Sequence, residues 1–407
     1  MFSVYNKDIN VEMRKIHMNI EKTKGTFTQI FGAGAEPEVF FAPGRVNLIG
    51  DHTDYNGGHV FPCALTLGTY GFVRKRNDDT LNLYSENFSS DGVITSSIHD
   101  LSPSGNGLWT DYPRGVIWAF AKKGYTIDCG MDILFYGDIP AGAGLSSSAS
   151  IEVLMGTILR DLFDFQDLPV TQIALLGQYA ENHYIGTQCG IMDQFASAVG
   201  KTDHAIFLNT YKLNYELVPL NLGDICLIIT NSGITHNLVS SAYNERRREC
   251  ERGLDMFQKV IDINSLGDLN NEQFDRYQFL IPDETIRKRV KHAISENRRT
   301  VHARNALKEN DMLEFGRLMN KSHLSLRDDY EVSCEEIDFL VKTAWEVPGV
   351  IGSRMTGGGF GGCTVSLVKK RNRNLFKNKL AACYQDSYGK IPEFYEVRLG
   401  DGAGHLV

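Results

Sequence analysis

The segment MDILFYGDIPAGAGLSSSASIEVLMGTILRDLF, residues 131–163, changes its period abruptly. A strand-like apolar run gives way to a turn holding Gly142 and Gly144. The turn opens into a long helix-periodic stretch whose first turn carries Ser146, Ser147 and Ser148. A helix start offers unpaired backbone N–H groups and the positive end of the helix dipole. One serine suffices to cap it. Three serines after two glycines exceed that need and make an anion cradle, with phosphate its natural guest. The spelling G-x-x-x-x-G-K-[ST] is absent because no lysine follows, so a nucleotide would be held by another scheme.

A second glycine-rich run, RMTGGGFGGCTVSLV at 354–368, contains Gly357, Gly359 and Gly362 in G-x-G-x-x-G spacing. A dinucleotide fingerprint follows a strand and opens a helix, whereas this one runs into the strand-like CTVSLV. Dinucleotide binding is therefore rejected. Gly at 357, 358, 359, 361 and 362 around one Phe instead suggests the wall of a site, where backbone comes close to a ligand.

A chain of 407 residues exceeds what one core usually supports, which points to two domains meeting at a cleft. Helix-like text covers GLWTDYPRGVIWAFAKKG, ITHNLVSSAYNERRRECERGLDMFQKV, DETIRKRVKHAISEN and DMLEFGRLMNKSHLSL. Strand-like text covers TYGFVRKR, TLNLYSE, ICLIIT, CTVSLV and EFYEVRL. Residues 1–31, with Ile9, Met13, Ile16 and Ile20 spaced along them, predict an amphipathic helix packed on a domain edge. The pattern is that of an α+β protein, with a boundary near 215–224 that divides 1–221 from 222–407.

A formal net charge of −8 excludes the broad basic field of a general nucleic-acid binder. The basic cluster NERRREC is interleaved with Glu245, Glu249 and Glu251 at helical spacings, which predicts a solvated, paired face. Eight scattered cysteines contain no C-x-x-C pair and read as reduced thiols. The N-terminus lacks the apolar core of a secretory leader and no run approaches membrane-spanning length, so a cytoplasmic location is expected.

The run APGRVNLIGDHTDYNGG, residues 42–58, gathers Arg45, Asp51, His52, Asp54 and Tyr55 between glycines, as if all faced one polar ligand. In AENHYIGTQCGIMDQFASAVG, residues 180–200, Glu181 sits in polar helix-end text and Asp193 lies among apolar neighbours. By itself such an aspartate is usually a cap or a salt-bridge partner.

Taken in order, APGRVNLIGDHTDYNGG, GLSSSASIEV, GIMDQF and MTGGGFGGCTVSLV resemble the signatures of the galactokinases within the GHMP kinase superfamily. The resemblance runs from about residue 37 to the C-terminus. It implies a two-lobed fold, with a left-handed β-α-β unit in the N-terminal lobe and a ferredoxin-like C-terminal lobe. The implied reaction moves the γ-phosphoryl of ATP to the anomeric hydroxyl of α-D-galactose. Arg45 and Asp193 match the family's catalytic pair, with Asp193 either accepting or orienting the C1 hydroxyl proton. Asp51, His52, Asp54, Gly190 and Tyr243 match sugar-binding positions, with Asp54 toward O3 and O4 and Asp51 and His52 toward C6. Gly142, Gly144, Ser146, Ser147 and Ser148 match the phosphate loop, and Ser148 and Glu181 match ligands of Mg²⁺. Trp109 falls where relatives place an aromatic near adenine, or is a core residue. Most galactokinases carry glutamate where this chain has Asp51, so the O6 contact passes through a water or the loop shifts inward. Two rival readings are an N-acetylgalactosamine kinase and a non-catalytic galactose sensor. No obligate protein partner is implied.

Overall fold

The computed structural model describes residues 20–105, 107–140, 142–235 and 239–406. Of the N-terminal positions expected on one helix face, Ile9, Met13 and Ile16 lie outside the described residues. Ile20 begins a helix over 20–31, where Ile20 and Phe27 pack on Val39, Tyr70, Phe72 and Leu134. A six-stranded sheet runs in the order Gly404–His405, Glu38–Asn47, Pro62–Lys75, Met131–Gly137, Thr80–Ser85, Ile94–Ser97. Thr80–Ser85 and Met131–Gly137 are parallel, and the helix Asp111–Lys122 lies in the connection between them.

The N-terminal helix covers one face of this sheet. The helices Asp111–Lys122, Ser147–Leu162, Val170–Ala180 and Met192–Val199 close the other around Val73, Leu83, Ile133 and Phe135. The alternation of Phe72 and Val73 between the two cores is the period-2 register that strand text encodes.

The second sheet runs Val350–Thr356, Gly361–Lys369, Ile225–Thr235, Glu393–Val397, with every pair antiparallel. Numbered along the chain, that order is 2-3-1-4. A helical segment separates the first strand from the second, and the helix Arg373–Tyr388 separates the third from the fourth. This is the split β-α-β arrangement of a ferredoxin-like lobe. A small third sheet pairs His59–Val60, His204–Asn209 and Asn214–Pro219.

Val46, Leu48 and Ile49 share one core with Leu227, Ile229, Val365 and Leu367. The end of the strand Glu38–Asn47 is therefore clamped between the two large sheets, and the polar residues that follow emerge at their junction.

The basic cluster is only partly a solvated face. Arg247 donates to Glu251 (3.0 Å) and Arg248 to Glu245, as expected. Arg246 and Glu249 instead turn inward, and Glu249 also accepts from the buried Arg289 (3.1 Å). All eight cysteines are unpaired. No described helix is long and apolar enough to cross a membrane.

Candidate active site

The strand Glu38–Asn47 delivers Arg45 at a register shift between Pro43 and Arg45. There the strand meets the serine loop: the Arg45 N–H donates to the Leu145 carbonyl (3.1 Å), and a Cβ on Gly44 would lie 2.6 Å from the same oxygen. Only glycine lets the two backbones approach this closely. Arg45, 5% exposed, reaches Asp193 in the first turn of the helix Met192–Val199. Its Nε donates to Oδ1 (2.8 Å) and its Nη2 to Oδ2 (2.7 Å), while Nη1 donates to the Gly144 carbonyl (2.7 Å). Ser146 donates its hydroxyl proton to Asp193 Oδ2 from a left-handed backbone, φ +60°. A non-glycine residue held there stores strain, which concentrates where a side chain must be aimed. Guanidinium, carboxylate and serine loop thus form one unit.

That unit closes one side of a pocket of about 480 Å³. Arg45, Asp51, His52, Asp54, Glu181, Gly190, Asp193 and Tyr243, all anticipated from sequence, line it. Thr187, Cys189, Met192, Asn244, Gly357 and Gly358 line it as well. Asn244, which the sequence reading missed, points a buried Oδ1 with no partner among the described residues. Its position beside Tyr243 near the start of the helix Val239–Gln258 was the available signal. Gly142, Ser147 and Ser148 belong to the adjoining helix start rather than to the pocket lining.

Asp54 and Gly190 fit each other. A Cβ at Gly190 would fall within the Asp54 carboxylate, so glycine is required for the carboxylate to stand where it does. Gly190→Ala is expected to displace Asp54 and raise KM for the pocket's substrate at least ~10-fold, the worth of one charged hydrogen bond. Initial rates against substrate concentration check this, and an unchanged KM would count against the placement of Asp54. Burial, then the charge of Asp193, pushes the Asp54 carboxyl up to about 6.

His52, buried with φ +61°, is held by burial down to about 3 and is therefore neutral. Its Nδ1 bonds the Tyr55 hydroxyl (2.8 Å), while its Nε2 has no partner among the described residues. The Tyr243 ring lies 5.5 Å from the rings of His52 and Tyr55.

Asp51 is 1% exposed, and its oxygens are engaged within the chain. Oδ2 accepts from Asn47 Nδ2 (2.7 Å) and from the buried Arg354, and Oδ1 accepts from the Gly357 N–H (3.0 Å). Burial raises its pKa, with Arg354 the leading opposing influence. The carboxylate thus anchors the third glycine-rich loop to the first motif. An O6 contact to Asp51, whether through a water or by an inward shift of the loop, would compete with three donors already in place.

At the far side, Glu181 accepts from Gln194 Nε2 (2.6 Å), lies 3.3 Å from Cys189 Sγ and hydrogen-bonds the Ser148 side chain. Burial, then Asp193, pushes Glu181 up to about 7. Behind it, Glu152 also accepts from Gln194 (2.9 Å), and its Oε1 has no partner among the described residues. Trp109 lies outside the pocket, stacked on Phe88 (6.2 Å) and edge-on to Phe135 (5.8 Å), with Nε1 unpartnered among the described residues. Trp109 thus packs against the core on the Phe135 side, while Phe88, on its other side, is exposed.

Comparison with known proteins finds family signatures along the chain. Residues 25–75 match the galactokinase galactose-binding signature, 111–201 the GHMP kinases N terminal domain and 303–386 the GHMP kinases C terminal profile. The galactokinase of Bacillus subtilis (strain 168) is 49% identical over 386 residues, 95% of this chain and 99% of that protein. The galactokinase of Clostridium beijerinckii is 51% identical over 384 residues, 94% of this chain and 98% of that one. The crystal structure of Lactococcus lactis galactokinase complexed with galactose superimposes with a TM-score of 0.93 at 44% identity, covering 95% of this chain and 100% of that one. A mevalonate kinase structure, 18% identical with a TM-score of 0.62 over 89% of this chain and 99% of its own, shares the fold. The chain belongs to the galactokinase family of the GHMP kinases, ATP-dependent sugar kinases.

Proposed function

We propose that the pocket takes α-D-galactose with its anomeric hydroxyl against Asp193, while ATP lies along the serine loop with its γ-phosphoryl toward that hydroxyl. The observation that carries this reading is Asp193 itself: Arg45 grips it from the sugar pocket, and Ser146 ties it to the phosphate cradle. Acceptor and donor then meet at one carboxylate. The bond formed joins the sugar O1 to the γ-phosphorus, the bond broken is that to the β,γ-bridging oxygen, and the hydroxyl proton leaves toward Asp193. Such transfer asks mainly for alignment and charge stabilisation. Arg45 supports both, because its guanidinium holds the two Asp193 oxygens in place and its positive charge offsets negative charge at the transferring group.

The other assignments follow from the same pose. Asp54, His52 and Tyr243 read sugar hydroxyls, Gly190 makes room for Asp54, and Asp51 fixes the wall formed by Gly357. Gly142, Gly144, Ser147 and the start of the helix Ser147–Leu162 hold phosphate oxygens. Glu181 and Ser148 fit Mg²⁺: both offer oxygen donors, and the unpartnered Glu152 Oε1 behind them marks a region lacking positive charge. Held by Glu181 and Ser148, such an ion would supply positive charge that neutralises the phosphate. The lobes, 1–221 and 222–407, bring sugar motif and glycine-rich wall together.

ADP release on mixing ATP, Mg²⁺ and galactose tests the reading, with phosphorus NMR locating the new phosphate. Galactose-dependent release and an anomeric phosphate are expected. No release above the sugar-free background would favour a sensor, and preference for N-acetylgalactosamine would overturn the substrate.

Asp54 adds a test with a sign. Its folded pKa, about 6, lies above the ordinary 3.8, so the folded state holds the extra proton and stability falls as pH rises from about 4 to about 6. Pocket water screens part of that cost. Asp54→Asn is therefore expected to stabilise the free protein at pH 7 by on the order of 1–2 kcal/mol while weakening galactose binding. Urea melts should show the gain vanishing by pH 4. For the unmodified protein, kcat/KM should fall as pH drops through 6, because a protonated Asp54 offers one acceptor fewer. A flat profile between pH 5 and 7 would remove Asp54 from sugar reading.

A further inference from the structure

Gln194 follows Asp193 in the first turn of the helix Met192–Val199 and is buried behind the pocket, outside its lining. Its Nε2 donates to Glu181 Oε2 (2.6 Å) and to Glu152 Oε2 (2.9 Å), so one amide nitrogen bridges two carboxylates from two other helical segments. Glu152 is buried as completely as Gln194, both at 0% exposure. We propose that Gln194, braced by Glu152, is a positioning residue for the ion site: it fixes the Glu181 carboxylate and ties it to Asp193 through one helix turn. The ion's place rests on the site reading above; the bridge does not.

The two carboxylates define how the amide sits. An NH₂ group carries one proton for each oxygen, and both bonds form whichever of the two carboxyls is ionised. The reverse orientation would set the amide oxygen between two acceptors and would need a proton on both carboxyls at once. Glu152 then serves as the brace: the amide cannot turn away from Glu181 without also breaking its bond to Glu152, in a place where water does not replace it. Packing holds the same arrangement. A Cβ on Gly177 would stand 3.2 Å from Gln194 Cγ and 3.4 Å from Glu152 Cβ, so the helix Val170–Ala180 closes on the bridge without slack.

Gln194 Nε2 and Cys189 Sγ (3.3 Å) both meet Glu181 at Oε2, so the carboxylate is held at one corner. Its backbone is fixed as well. The Glu181 carbonyl accepts from the N–H groups of Gly186 (2.9 Å) and Thr187 (3.1 Å), where the helix Val170–Ala180 widens into a π-helical turn at Glu181–Ile185. An amide suits this task because it grips a carboxylate without neutralising it. A lysine or arginine in its place would cancel the charge that a cation is to meet. One helix turn thus sets two carboxylates: Asp193, gripped by Arg45, and Glu181, gripped through Gln194.

Calorimetry with a non-hydrolysable ATP analogue, with and without Mg²⁺ and with no sugar present, gives the factor by which the ion tightens nucleotide binding, free of any turnover. Gln194→Met keeps the volume and removes both N–H bonds. It is expected to cut that factor about 10-fold, the low end for losing a group that orients a metal-binding side chain. Its Kd for galactose should stay within about 3-fold of the unmodified value. Glu152→Gln, which still offers an oxygen to Gln194, should keep the factor within about 2-fold, while Glu152→Met should lower it about 3- to 5-fold. A merely structural bridge would lower the melting temperature of Gln194→Met and leave the factor unchanged, and that result would overturn the proposal. Equal losses of galactose affinity and of the Mg²⁺ factor would overturn it too. Glu181→Gln separates the two levels. An unchanged factor in that variant would remove Glu181 from the ion site and the bridge's purpose with it. A factor lost in Glu181→Gln but intact in Gln194→Met would leave the ion site standing and refute the bridge alone. If Gln194→Met does not fold, the contrast between Glu152→Gln and Glu152→Met reads the same brace, and equal factors in the two would refute it.

Discussion

Asp193→Asn is expected to lower kcat by ~10²- to 10⁴-fold, the range for loss of acid–base help at a reacting hydroxyl. The substitution is nearly isosteric, so pocket shape survives. What changes is charge and acceptor capacity. Arg45 presents Nε and Nη2 as a fork to two carboxylate oxygens, and an amide offers only one oxygen to that fork. The Ser146 hydroxyl, now bonded to Oδ2, would face either an amide nitrogen or a competing donor. Binding should suffer far less, because the sugar's other hydroxyls meet Asp54, His52 and Tyr243. Calorimetry with galactose alone is expected to give a Kd within about 10-fold of the unmodified value, while single-turnover rates collapse. Near-native turnover would exclude Asp193 from the chemistry. Loss of binding equal to the loss of rate would make it a sugar anchor instead.

Why Asp193 could not be assigned from its own surroundings is plain in the structure. Its neighbours, Met192 and Phe195, are buried, so local text describes a helix seated on the core. Its function comes from Arg45, 148 residues earlier, and no local pattern encodes that meeting. The serine-rich helix start is the opposite case. Strand, glycine turn and helix are contiguous, and the helix forms at Ser147–Leu162 where the change of period placed it. The rejection of a dinucleotide fold also rested on contiguity: the glycine run enters the strand Gly361–Lys369, not a helix.

Boundaries were less legible where no residue breaks the pattern. The helix expected over 283–297 runs on as Glu284–Lys308, since RRTVHARNALK contains neither Gly nor Pro to stop it. Asn244, whose Oδ1 has no partner among the described residues, stood beside a residue identified only through resemblance. Arg246 and Glu249 read as surface charges until Arg289, a buried cation on another helix, gave them a reason to turn inward. For Arg246 and Glu249 the missing information was a distant partner.

A far more distant partner is Arg354, 303 residues from Asp51, and Arg354→Met is expected to destabilise the protein by about 3–5 kcal/mol, the cost of leaving one buried charge unmatched. Arg354 is 0% exposed on the strand Val350–Thr356; it donates through Nη2 to Asp51 and through Nη1 to the Asn47 carbonyl (3.2 Å). Methionine fills much of the same volume but supplies no proton to either oxygen. Burial already raises the Asp51 pKa, and Arg354 is the main influence opposing it, so removing Arg354 moves the carboxyl further toward its neutral form. A folded pKa above the unfolded one means stability falls as pH rises through the interval between them. The deficit should therefore be larger at pH 8 than at pH 5, which urea melts at the two pH values check. Adding Asp51→Asn to Arg354→Met should restore part of the loss by removing the unmatched charge, and a double-mutant cycle reads that coupling directly. Additive effects, or a loss below about 1 kcal/mol, would mean the pair is replaceable by packing. A large coupling would instead make Asp51 the residue that holds the glycine wall against the sugar motif, since its Oδ1 also accepts from Gly357. Asp51→Glu then becomes informative about substrate. One added methylene pushes the carboxylate away from the Arg354 and Gly357 donors or out into the pocket, and its effect should fall on sugars altered at C6 more than on galactose turnover.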